Sequence, residues 1–191
     1  MRRITSKEEA TRKAKKNNLI LAGFLILIMM GSVFGIIIGS LGGNSTETEE
    51  IAYNGYEFVS SNGFWTTKIG EYNFAFIYNP EQVEKINSTV NYLNSYEGKT
   101  LYFSSENQNA LGEIYRNLNP VVLRFQEACL DETNCKENLP IKNCSNNFII
   151  IKESNSTKIV QEENCVFIEG DGENLTAITD EFLFKVLGVE K

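Results

Sequence analysis

The 191-residue chain carries 18 basic and 25 acidic residues, a formal net charge of −7, and no histidine. The missing imidazole excludes Ser-His-Asp and Cys-His catalysis and histidine-ligated metals. The acidity argues against nucleic acid, whose binding rests on Lys and Arg neutralising phosphate, and no P-loop or Gly-x-Gly-x-x-Gly follows a predicted strand, so no cofactor is expected.

Residues 1–18 form a basic tail in which Arg2, Arg3, Lys7, Arg12, Lys13, Lys15 and Lys16 are opposed only by Glu8 and Glu9. Residues 19–41 then contain no charge. At about 1.5 Å per residue this run reaches roughly 34 Å, enough for a hydrocarbon core of about 30 Å with some tilt. It exceeds the apolar core of a signal peptide, about 7–15 residues, and has no Ala-x-Ala cleavage site. An uncleaved transmembrane helix over 19–41 is expected, with the membrane as integral partner and, from the flanking cations, a cytoplasmic N-terminus. Gly31, Gly35 and Gly39 recur at every fourth position within it, a spacing that lines one helix face for homodimerisation or for packing on a partner's transmembrane helix.

Residues 42–50, small, polar and acidic, read as a flexible linker. After the span, 11 basic and 23 acidic residues leave a net charge of −12 over 42–191, and one extracytoplasmic domain is expected over 51–191, a size that supports its own core. Aromatic and β-branched runs at 53–60, 64–69 and 72–78 predict an antiparallel meander. Asn79-Pro80, followed by Val83, Ile86, Val90 and Leu93 at spacings of three and four, predicts an amphipathic helix. Residues 99–104 predict a short strand. Leu111, Ile114 and Leu118 predict a helix that Pro120 interrupts and that resumes with Val122, Phe125 and Cys129. Phe148-Ile149-Ile150-Ile151 predicts a central strand buried on both faces. Two more strands are expected at 158–162 and 165–169, and Leu175, Ile178, Phe182, Val186 and Leu187 predict a closing helix. The sum is an α+β or α/β domain with helices packed on one mixed sheet.

All four cysteines follow the span, where thiols oxidise and stay oxidised. Four cysteines allow three pairings. Cys129 with Cys135 and Cys144 with Cys165 is favoured, because the first pair closes a short polar loop and the second joins residues that each lead into an apolar strand. No two cysteines have the two-residue spacing of a zinc site, and no metal is expected. Five Asn-x-Ser/Thr sequons, at Asn44, Asn87, Asn143, Asn155 and Asn174, lie on the outer side, open to glycosylation.

Candidate chemistry rests on carboxylates and one turn. Glu169, Asp171 and Glu173 cluster before the closing helix, with Asp180 and Glu181 further on. Paired carboxylates serve as acid and base when their environments separate their pKa values, but acids before a helix are also ordinary dipole partners, and no catalytic residue is assigned. A ligand edge is expected at Ser104, Ser105 and Asn107 with Lys152, because parallel strands there would place this turn at their carboxyl ends, where α/β sheets bind ligands. Helix capping by Ser105 or Asn107 explains the same residues.

In its second half the domain carries Glu113-Ile114-Tyr115-Arg116-Asn117-Leu118, Glu127-Ala128-Cys129, Glu137-Asn138-Leu139-Pro140-Ile141-Lys142-Asn143-Cys144, Glu163-Asn164-Cys165-Val166-Phe167-Ile168-Glu169-Gly170 and Phe182-Leu183-Phe184-Lys185-Val186-Leu187-Gly188. On these stretches it resembles uncharacterised single-pass membrane proteins of small-genome archaea, over about residues 50–191. That group has no established activity, so the resemblance implies an archaeal surface and no catalytic residue. The expected function is a membrane-anchored envelope protein whose outer domain binds a protein or glycan; the alternative is an ectoenzyme, a glycan hydrolase using paired carboxylates.

Overall fold

The computed structural model describes residues 20–26, 28, 49–132, 135 and 138–190. The chain divides into two units, Met1–Glu47 and Thr48–Lys191. In the first, residues 20–26 and 28 are helical and exposed, and no helix among the described residues is long and apolar enough to cross a membrane. The basic tail, Gly31, Gly35, Gly39, Asn44 and the linker up to residue 48 lie outside the described residues.

The second unit is a mixed α+β domain with two sheets. The first sheet is an antiparallel meander in the order β1-β2-β3-β4: β1 Glu50–Tyr53, β2 Tyr56–Ser61, β3 Phe64–Ile69 and β4 Tyr72–Phe76. The expected strand at 53–60 is instead broken into β1 and β2. Asn54-Gly55 makes the break, with φ of 48° and 87°, and Asn62-Gly63 repeats it at 53° and 80°. Two positive φ values in succession are what a tight hairpin turn demands, and Asn-Gly supplies them with little strain.

The second sheet has the order β6-β5-β7-β9-β8, from β5 Thr100–Ser105, β6 Arg124–Glu127, β7 Asn147–Glu153, β8 Lys158–Glu162 and β9 Cys165–Gly170. All its pairings are parallel except β8 with β9. Helix α1, Gln108–Leu118, connects β5 to β6, and helix α2, Leu175–Val186, follows β9. The expectation of one sheet is thus replaced by two. Phe58 of β2, Phe76 of β4, Leu101 of β5, Ile149 of β7, Ile168 of β9, and Ile114 and Phe184 of the helices all belong to one buried core. Of the α2 residues only Ala177 is not buried, as expected of a helix covered on all sides.

Two expected helical stretches take other forms. Residues 77–92 contain no helix beyond a turn. Asn79 and Gln82 do form a reciprocal capping box: Asn79 Oδ1 accepts from the N–H groups of Glu81 and Gln82 at 2.9 and 3.0 Å, and Gln82 Oε1 accepts from Asn79 N–H at 2.9 Å. The helix then fails. Asn87-Ser88-Thr89-Val90-Asn91 combines a β-branched pair with side chains that compete for backbone groups, and the segment finds partners elsewhere. Tyr78 N–H donates to Asp180 at 2.9 Å, Ile86 N–H to Glu181 at 3.3 Å and Asn91 N–H to Gln161 at 2.7 Å. Residues 77–92 are therefore a strap tied to α2 and β8 by side chains. Its apolar spacing reported burial correctly, since Val83 is buried and Ile86, Val90 and Leu93 pack on the core. Likewise 122–129 is not a resumed helix: Arg124 to Glu127 pair in parallel with β5 as β6, a short run in which the apolar spacing cannot separate helix from strand.

On the opposite face of the second sheet, Ala128, Phe148 and Cys165 form a smaller core with Tyr102, Leu130, Ile150 and Phe167. The disulfides Cys129–Cys135 and Cys144–Cys165 staple the loop that covers it, the pairs favoured from the sequence. Two disulfides point to an oxidising, non-cytosolic setting. In the chain-entropy account a bridge across 21 residues is worth about 3 kcal/mol and one across 6 about 2 kcal/mol. Replacing Cys144 and Cys165 by Ala should therefore lower stability, read by urea denaturation, by about 1 kcal/mol more than replacing Cys129 and Cys135. Equal losses would mean that loop length does not govern the difference.

Candidate functional site

The turn after β5 sits where the sequence placed it, at the carboxyl ends of parallel strands, with Ser104 opposite Ile150 and Ser105 opposite Ile151 of β7. Two of its residues are committed to architecture. Ser105 Oγ donates to Asn107 O at 2.7 Å and accepts from Asn107 N–H at 3.1 Å. Asn107 Oδ1 caps α1 by accepting from the N–H groups of Asn109 and Ala110, both at 3.1 Å, while its Nδ2 donates to Gly172 O at 3.1 Å. These bonds cap α1 and tie two loops together, so both side chains are held in place by the fold.

Ser104 and Lys152 differ. Alternation along the strands turns them to the face away from the helices. There the register builds two rows: Ser104, Ile150, Phe167 and Val160, then Lys152, Glu169 and Lys158. Together with Cys129, Leu130 and Asp131 from the disulfide loop, five of these residues, Ser104, Ile150, Lys152, Phe167 and Glu169, line a cleft of about 300 Å³. Ile150, Phe167 and Leu130 form its apolar part. Lys158 holds the Glu169 carboxylate at 3.1 Å, whereas Ser104 Oγ and Lys152 Nζ make no hydrogen bond or ion pair among the described residues. The cleft therefore offers a hydroxyl, an exposed ammonium and an oriented carboxylate beside an apolar floor, the composition of a small-ligand site.

A second groove, about 420 Å³, opens on the other face of the sheet beside the edge strand β6, lined by Phe103, Leu111, Gly112, Tyr115 and Phe125. Phe103 and Phe125 stack at 4.4 Å between centroids, with Tyr115 edge-on to Phe125 at 5.2 Å.

The structure separates the clustered carboxylates. Asp171 orders the turn ahead of α2: its Oδ1 accepts from Glu173 N–H at 3.0 Å and its Oδ2 from Asn174 Nδ2 at 2.8 Å. Glu169 faces the cleft, Glu173 is exposed, and Asp180 and Glu181 are fully buried. Glu181 accepts from the strap and lies 3.8 Å from Lys85 and 3.5 Å from Lys185. Burial raises its pKa against the pull of both lysines. Lys85 also reaches Glu190 at 2.6 Å, and Tyr53 Oη donates to the same carboxylate at 2.7 Å, which fastens the end of the chain to the first sheet.

The sequence reading gave Glu113, Arg116 and Asn117 of α1 no role of their own. Glu113 and Asn117 are buried beside Ile114 and Leu118. Asn117 acts as a strand partner: its Oδ1 accepts from Ala75 N–H at 2.8 Å and its Nδ2 donates to Ala75 O at 2.9 Å, closing the edge of β4. A helical projection carries the signal, since Ala110, Glu113, Ile114 and Asn117 fall on one stripe.

Among the described sequons, Asn87, Asn143, Asn155 and Asn174 are exposed. Thr176, the hydroxyl residue of the Asn174 sequon, is 8% exposed within α2, whereas Thr89, Ser145 and Thr157 are exposed. Among the described residues no cluster of three or more metal-ligating side chains is present. No protein-family model, curated protein or solved structure matches this chain.

Proposed function

We propose that the chain is a single-pass, membrane-anchored envelope protein whose outer domain binds a polar, hydroxyl-bearing ligand, a glycan in the first instance, at the cleft on the second sheet. The observation that carries this reading is the pairing of Ser104 and Lys152, unengaged among the described residues, with an oriented Glu169 over Ile150 and Phe167. Hydroxyls need both donors and acceptors, and the apolar face of a sugar ring needs a flat hydrophobic floor. Support for the anchor comes from the uncharged run 19–41 and the cations before it, and the disulfides agree with a domain on the outer side. In the same reading the glycines at 31, 35 and 39 pair the span with a second copy or a partner helix. The sequons Asn87, Asn143 and Asn155 carry glycans on an archaeal surface. The ectoenzyme alternative loses one of its candidate carboxylates, because Asp180 is sealed in the core.

Full-length protein in detergent micelles, applied to an array of neutral and acidic oligosaccharides, tests the cleft. Lys152→Glu is expected to reduce retention at least tenfold, and Tyr115→Ser, in the second groove, to leave it unchanged. Retention that survives Lys152→Glu, or that fails in Tyr115→Ser, would overturn the assignment to the cleft. An array that retains nothing would remove the glycan and leave a partner protein as ligand.

A further inference from the structure

We propose that Asp180 and Glu113 share a single proton, and that this proton is a clasp joining α1, α2 and the end of β4, which opens when alkaline medium removes it. The argument is one of valences. Asp180 and Glu113 are both fully buried, on two helices that pack against each other, and the two carboxyl groups interact. Asp180 Oδ2 accepts from Tyr78 N–H at 2.9 Å, just past the end of β4. Glu113 Oε1 is engaged by the Arg116 guanidinium. The remaining oxygens, Asp180 Oδ1 and Glu113 Oε2, have no donor among the described residues.

Two ionised carboxylates would leave both oxygens orphaned and two like charges side by side away from water, each a substantial cost. One proton on Asp180 Oδ1, donated to Glu113 Oε2, satisfies both and leaves one negative charge, which Arg116 neutralises. Among the described residues, the groups that act on Asp180 are Glu113, Arg116 and the Tyr78 N–H. From α1 come Glu113 and Arg116. From the strand end comes only the Tyr78 N–H. β8 and β9 turn Ile159, Val166 and Ile168 toward the helices. On α2 itself, Glu181 faces Ile86, Lys85 and Lys185.

The clasp binds the first sheet to the helices. Arg116 Nη1 also reaches Ala75 O at 3.5 Å and its guanidinium lies 4.4 Å from the Phe64 ring centroid. Burial, and then the Glu113 charge beside it, push the Asp180 carboxyl up to about 9. A folded-state value above the ordinary 3.8 means that the native domain holds the proton more tightly than the unfolded chain does. The stabilisation is complete below about pH 4, declines as pH rises, and is gone above about pH 9. A domain on the outer side of a membrane meets that rise directly.

Two measurements on the full-length protein in detergent test the clasp. Infrared spectroscopy of the wild type at pH 8 should retain the C=O stretch of a protonated carboxylic acid, a reading that needs no variant. Its absence would overturn the proposal. Asp180→Asn replaces the shared proton with an amide N–H that does not titrate, while the amide oxygen still accepts from Tyr78. The wild-type thermal midpoint should fall between pH 7 and 9.5. That of Asp180→Asn should fall by less, leaving the variant about 5 °C or more above the wild type at pH 9.5. Protease cleavage within the strap should rise over the same interval in the wild type only. Parallel pH curves for the two proteins would also overturn it.

Discussion

Phe184→Ala is expected to cost the domain about 3–5 kcal/mol, in the upper range for truncation of a buried aromatic. Phe184 is fully buried in α2. Its ring lies 4.7 Å from that of Phe76 and 5.8 Å, edge-on, from that of Phe58, both of the first sheet. The helix that carries it packs its other side on β9 and β8 of the second sheet. Truncation leaves a cavity between layers that come from distant parts of the chain, and rigid sheets cannot collapse into it. Because typical domains are stable by only about 5–15 kcal/mol, the loss should shift the urea midpoint strongly with little change in the slope of the transition. A cost below about 1 kcal/mol would show that Phe184 does not hold the layers together.

Arg116→Ala is expected to cost about 3–5 kcal/mol, because it strips the counter-ion from a buried carboxylate. Glu113 is fully buried and Arg116 is its ion-pair partner, while the guanidinium also lies against Phe64 and Ala75. Glu113→Gln in the same molecule removes the orphaned charge, so the double variant should be more stable than the sum of the single costs implies, by about 1–3 kcal/mol. Arg116→Lys should recover only part, since an ammonium cannot copy the planar group that both pairs with the acid and stacks on the ring. Strict additivity in the double-variant cycle would contradict this account of Glu113 and Arg116.

Much of the domain was legible where one residue type meets one local demand. Alternating aromatics in 72–78 and the spacing in 175–187 each specify an element by its own period, and the four apolar residues from Phe148 do so as a short β-branched run. The disulfide pairs followed from loop length and neighbouring strands. Ser105 and Asn107 were legible twice over, as ligand edge or as helix cap, and of the two it is Asn107 that caps α1 while Ser105 bonds its backbone. Residues 77–92 were misread because periodicity reports which residues face a core and says nothing of which conformation brings them there. Asp180, Glu181 and Gln161, between 70 and 102 positions further along, take backbone N–H groups that a helix would have paired within itself.

By itself the sequence determined what depends on composition and neighbours along the chain. This covers the uncharged run with its one-sided cations, the acidity of the remainder, the absence of imidazole, four cysteines after the apolar run, and most strands and helices. Only the tertiary structure decided that there are two sheets, that α2 lies between them, and that Asp180 is sealed against Glu113 while Lys152 stands open beside Glu169. The reason is physical. A carboxylate's role is set by its burial and by the groups that face it, and in this fold those groups arrive from segments that share no local pattern with it.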